Sequence, residues 1–337
     1  HNMKTASSAK YLGDIVSAKG GSHDTIEKRR SEGWGRISQI MGLISEVTSS
    51  DFRVQIGLKL RESKLCSGLL CNSEAWSSIS ERDMTRLEQV DLSFLRGLTG
   101  SHAKTVSEFL YIELGVLKVR HILTYRRLMY HYHIITREDH ETIKKIYNKQ
   151  MSSHLKGDWY QMLLLDFEFI GEEKCDKKIS SLSKGQYRTL VKTKIEKAAF
   201  NIYMQKKEVH KKKLGDVKYP KFGIQPYMYN KMFGKKEIKI MCLLRSKSYP
   251  AKMNFRKMYK NNLKCSFSCN TIETQSHIFE ECKPIICNLL NPVPIKLEQI
   301  FGSLQEQCDI IEKLVEIDTV RKLMKDNLLP GGAAART

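Results

Sequence analysis

Four residues constrain this chain more than any others: Cys265 and Cys269 with three residues between them, then His277, then Cys282. Three thiols and one imidazole are soft or borderline ligands, and together they fill a tetrahedral metal site. The short first spacing supplies the tight turn that brings two sulfurs to one ion. Thr274 is placed to cap a short helix from Ile272 to Cys282, which would present His277 and Cys282 from one rigid element. Four protein ligands leave no position open to a substrate, so the pattern points to a structural Zn2+ and away from a catalytic one. The competing reading is two ordinary buried cysteines with an unrelated His and Cys nearby.

The other cysteines, Cys66, Cys71, Cys175, Cys242, Cys287 and Cys308, have no paired spacing and read as core thiols or bystanders. Nine cysteines without an amino-terminal apolar leader fit a reducing compartment, so an intracellular location, nuclear or cytoplasmic, is expected. No apolar run approaches the roughly 18 residues of a spanning helix, and no membrane partner is expected. The charge balance is lopsided: 57 Lys and Arg oppose 37 Asp and Glu across 337 residues, a net charge of +20. Such an excess favours a polyanionic partner, with RNA or DNA first.

Hydrophobic periodicity predicts a mainly α fold with a short amino-terminal strand at Tyr11 to Val16 and a small zinc knuckle. A turn at Lys19 to Ser22 precedes a helix that Asp24 caps. Asp51, Asp139 and Asp158 are further expected caps, and the spacings Ser80 to Asp83 and Thr105 to Glu108 read as capping boxes. The expected segments are 1–47, 48–170, 171–264, 265–290 and 291–330, with a disordered tail at 331–337 and the appearance of a chain cut at both ends.

Positive charge gathers in two stretches. Between 184 and 213, Lys184, Arg188, Lys192, Lys206, Lys207 and Lys211 belong to a set of ten cations facing only Glu196 and Glu208. The recurrence of Lys184, Arg188 and Lys192 at every fourth position, opposite Tyr187, Val191 and Ile195, describes an amphipathic helix with a basic side. Between 235 and 264, Arg245, Lys252, Arg256, Lys257 and Lys260 belong to ten cations facing only Glu237. Tyr249, Phe255 and Tyr259 are interleaved there, where aromatic rings can stack on bases or pack in a core. The knuckle itself contains Glu273, Glu280 and Glu281 and no Lys or Arg. It is expected to hold structure while the flanking cations hold nucleic acid.

Several runs resemble the reverse transcriptases of non-LTR (LINE-like) retrotransposons: Lys10 to Ser17, Asn72 to Trp76, Phe109 to Gly115, Tyr125 to Leu128 and Lys156 to Trp159. The Cys-Cys-His-Cys pattern follows them, and their order covers most of residues 10 to 285. The resemblance implies that residues 1–47 close the polymerase palm and open the thumb. It further implies that 48–170 form a helical thumb and connector, and 171–264 a basic connector before the zinc knuckle. It also implies Mg2+ in a palm upstream, and the palm and fingers as possible partners. A polymerase of this kind needs a pair of adjacent carboxylates to bind its metal ions, and no Asp-Asp pair occurs here. None of the seven prolines precedes an Asp, so the nuclease motif of some members is missing as well. No activity is expected of this chain alone. The expected function is therefore nucleic-acid binding by the region after the palm; the alternative is a zinc-stabilised helical protein-interaction module from a decayed element.

Overall fold

The structure, a computed structural model, describes residues 7–11, 14–17, 22–46, 50–77, 79–153, 155, 157–214, 216–219, 221–259, 262–292 and 295–326. The expected turn at Lys19 to Gly21, Lys156, Lys260 and the tail lie outside them, as does the side chain of Asp51. The fold is mainly α. Among the described residues its strands are Ser8–Tyr11 and Asp14–Ser17, an antiparallel pair with Lys10 opposite Ile15, where the sequence predicted a single strand. No helix among the described residues is long and apolar enough to cross a membrane.

Two compact units each combine three separate stretches: 1–44, 57–94 and 116–204 in the first, and 45–56, 95–115 and 205–337 in the second. The first unit is built on helices whose signals the sequence carries. Asp158 accepts from the Gln161 amide at 2.8 Å and starts helix Trp159–Ile170, which Gly171 ends in the left-handed conformation at φ 64°. Its core joins Leu163 and Phe167 to Leu128, Tyr147 and the buried stripe Tyr187, Val191 and Ile195 of helix Lys184–Val209. Elsewhere in this unit the Arg61 fork grips Asp91 at 2.6 and 2.7 Å, both side chains buried. Removing either partner of such a pair costs about 3–5 kcal/mol, because the survivor is left charged and dry.

Three of the runs that suggested the resemblance meet in this unit. The Trp159 indole donates to the Glu74 carbonyl at 2.7 Å, and Arg126 donates to the Leu70 carbonyl and lies 3.8 Å from the Glu74 carboxylate. Asn72, at φ 59°, makes the turn that aims those carbonyls.

The second unit is organised around Glu113, the last residue of helix Ser107–Glu113, a helix whose Phe109, Leu110, Tyr111 and Ile112 are also fully enclosed. The Glu113 carboxylate accepts from Tyr219 (2.7 Å), Tyr227 (2.6 Å) and Arg245 Nε (2.6 Å), while Arg245 Nη1 donates to the Ile300 carbonyl at 2.5 Å. Burial drives both phenols well above their ordinary range, so they remain donors. Gly115 follows at φ 59°, and a Cβ there would lie 2.3 Å from the Gly223 backbone. Only glycine allows Leu114 to bridge Ile224 so closely.

Local expectations fail at three caps. Thr105 does not cap helix Ser107–Glu113: its hydroxyl pairs with Ser248 at 2.9 Å. Asp139 precedes helix Thr142–Ser153 by too many residues to cap it, and Asp24 sits inside the first turn of His23–Glu46. Ser80 does cap, accepting from the Asp83 amide at 3.1 Å.

Candidate metal centre

The turn at 263–273 closes through backbone pairing, with Cys265 N donating to Thr271 O at 2.7 Å and Glu273 N to Leu263 O at 2.8 Å. Ser268 and Asn270 take φ of 62° and 56°, which folds the chain back between Cys265 and Thr271. A second element delivers the other ligands. Thr274 accepts from the His277 amide at 2.9 Å, as its position predicts, and the turn His277–Glu281 carries the chain to Cys282. That turn is wider than an α-helix, and it brings His277 and Cys282 to one side although they are five positions apart.

One ligand atom from each of Cys265, Cys269, His277 and Cys282 lies within 4.8 Å of all the others. Cys282 Sγ is 3.9 Å from Cys265 Sγ and 3.5 Å from Cys269 Sγ. These gaps are far longer than a disulfide of about 2.05 Å. They match the edges of a tetrahedron: bonds of about 2.3 Å from one ion place its sulfurs about 3.8 Å apart. The group can hold a metal ion. The hydrogen bond from Cys282 holds the Cys265 thiol down to about 5, and burial raises the thiol of Cys269.

Around the ligands sits a layer that orients them. Phe267 N donates to Cys265 Sγ at 3.4 Å, and the Thr271 hydroxyl faces the nitrogen-bearing edge of the His277 ring at 3.1 and 3.3 Å. Glu273, expected on the acidic surface of the knuckle, is instead fully buried. It accepts from Ser266 N (3.0 Å), Ser266 Oγ (2.8 Å) and Arg321 Nη2 (3.0 Å). Burial alone would raise its carboxyl; Arg321 and the Ser266 donors outweigh that and leave it below its usual range. Arg321 comes from helix Leu304–Lys325, started by a Ser303–Glu306 capping box, and also donates to Pro250 O at 2.7 Å. Nothing in the spacing of the ligands announces Arg321, which lies 48 positions from Glu273.

The predicted nucleic-acid contacts divide by exposure. Lys184, Arg188, Lys192, Lys206, Lys211, Arg256 and Lys257 are exposed, and Lys252 is half-buried with Nζ on the Lys264 carbonyl at 2.7 Å. Arg245 is withdrawn from this set, since its charge is spent on Glu113 inside the second unit. Lys207 is buried too, its ammonium 3.9 Å from Glu208, because helix Lys184–Val209 turns that position inward. Of the interleaved rings, Tyr249 and Phe255 belong to the core and only Tyr259 is exposed. Cys66 and Cys242 are buried thiols that burial pushes up to about 12, while Cys175 and Cys287 are exposed.

A groove of about 1030 Å³ adjoins the centre, lined by Asn254, Thr274, Gln275 and Phe301 among others. Its charges balance: Lys218, Lys247 and Lys296 share it with Asp216, Glu280 and Glu298, and Lys247 pairs with Asp216 at 2.7 Å. Such a lining gives phosphate no preference. Comparison with protein-family models, with curated proteins and with solved structures finds no match, so the assignment of this centre stands on its own geometry.

Proposed function

We propose that the chain is a nucleic-acid-binding region of the kind that follows the polymerase palm in non-LTR retrotransposon reverse transcriptases, with a structural Zn2+ on Cys265, Cys269, His277 and Cys282. The observation that carries the binding half is the exposure of Lys206, Lys211, Arg256 and Lys257 in a chain of net charge +20. The donor set carries the zinc half: three sulfurs and one imidazole suit Zn2+ better than Mg2+ or Ca2+, which prefer oxygen. Three thiolates on one divalent ion leave the centre with a net negative charge, so it stabilises the fold while phosphate is gripped elsewhere. The region binds and does not catalyse, and in a complete protein it would serve a polymerase by holding template or element RNA.

Salt dependence tests this. If about six cations neutralise phosphates, log K falls against log salt with a slope near −4 to −5. Replacing Lys206, Lys211, Arg256 and Lys257 together with Gln should weaken RNA or DNA binding and flatten that slope by about 3, with the melting temperature unchanged. A variant that binds with the parent's affinity and slope returns the chain to the rival class, a zinc-stabilised protein-interaction module.

A further inference from the structure

We propose that the second unit carries a track for a single strand of nucleic acid, formed by loop 100–104 and segment 252–259, on which Tyr259 stacks a base. This rests on the nucleic-acid reading above and commits it to one strand class and one surface.

The two pieces lie far apart in sequence yet form one surface. Phe255 is the buried pivot: the His102 ring meets it edge-on at 5.0 Å and 75°, and Lys104 Nζ stands 4.6 Å from its centroid. Lys104 Nζ also lies 3.4 Å from Met258 Sδ, across 154 positions of chain. On the other side of the loop, a Cβ at Gly100 would lie 2.9 Å from Lys239 Cγ, so the Lys239 stem covers the turn that Gly100 makes at φ 66°. Lys104 and His102 lie outside the cation-rich stretch 235–264 that the sequence shows.

The charge on this surface is of one sign. Neither 100–104 nor 252–259 contains Asp or Glu, whereas Lys104, Lys252, Arg256 and Lys257 all belong to them. The field is felt locally: burial, together with Lys104, Arg96 and Lys213, keeps His102 below its ordinary pKa. The balanced groove beside the metal centre has no such bias.

Within this cationic field Met253, Met258 and Tyr259 face water. Tyr259 is 39% exposed and Met258 66% exposed, and Lys252 Nζ sits 5.9 Å from the Tyr259 ring. A ring beside cations is what a base with its phosphate requires: the ring takes the base face and the ammonium takes the backbone. A duplex hides its base faces in its own stack and offers only phosphates. The surface therefore favours a single strand, RNA or DNA, since every base presents a π-face.

Fluorescence anisotropy with oligo(U) and oligo(dT) of about 20 nucleotides, and with a blunt duplex of equal length, tests the track. The parent should bind both oligonucleotides more tightly than the duplex at equal salt. Tyr259→Ala should weaken both roughly tenfold without changing the salt slope, and Tyr259→Phe should keep parent affinity. Lys104→Gln should instead lower the slope by about 0.7. An alanine variant that binds the oligonucleotides like the parent overturns the track, as does equal weakening toward the duplex. So does displacement of oligo(U) by phosphatidylserine vesicles, which would make the patch a membrane surface. In each case the broader reading survives as long as the fourfold Gln variant still loses affinity; if that variant binds unchanged, the reading itself has failed.

Discussion

The second unit has two polar centres built on opposite plans. The Cys/His group gathers its donor atoms from 18 consecutive positions, 265 to 282, and could hold an ion that the chain does not encode. The Glu113 centre draws Tyr219, Tyr227 and Arg245 from 106, 114 and 132 positions away and supplies both of its charges itself. The first, with its ion bound as proposed, depends on metal supply and takes its ligands locally, with Arg321 as the remote brace on Glu273. The second needs no metal and rests on contributors more than a hundred positions away. One unit is thus held by two devices that fail under different conditions.

The largest effect should come from breaking the self-sufficient centre. Glu113→Ala strands Arg245 in a dry interior and leaves two phenols without their acceptor, a loss of about 3–5 kcal/mol. Urea unfolding with and without a chelator should show that loss undiminished in the metal-free protein. Next comes Cys269→Ser. It should bring bound zinc from about one equivalent to near none and make the melting temperature insensitive to chelator, since the site contributes folding free energy only with metal bound. Hydrogen exchange should then rise over 263–282 and stay low at Phe109 to Ile112; a rise at both places would merge the two centres into one cooperative device. The smallest effect sharpens the local plan: Thr274→Ala removes the cap under His277 and should cost about 1 kcal/mol with zinc stoichiometry retained.

How much was legible follows from the same contrast. The four metal ligands, the Thr274 cap, the Asp158 cap and the basic stripe of helix Lys184–Val209 all depend on neighbours within a few turns, and sequence spacing exposes such relations. The run Phe109 to Gly115 was visible as a pattern without a cause. Its cause is Glu113 meeting partners more than a hundred positions away and Gly115 lying against Gly223, neither of which a local window contains. Arg245 shows the resulting error: counted among surface cations, it looked available for phosphate, and only the fold reveals that a buried carboxylate has claimed it. Thr105 fails likewise, its hydroxyl drawn to Ser248 by tertiary packing.

The spacing of the Glu113 centre also sets a timetable for a ribosome. Arg245 is made 132 residues after Glu113, which at about 5–20 residues per second is roughly 7 to 26 s of synthesis. Throughout that interval helix Ser107–Glu113, with Phe109, Leu110, Tyr111 and Ile112 beside the carboxylates of Glu108 and Glu113, lacks the arginine that later pairs with Glu113. Until Arg245 is made, burying Glu113 would leave its charge unpaired in a dry interior, so the same acid that locks the finished unit disfavours enclosing that segment early.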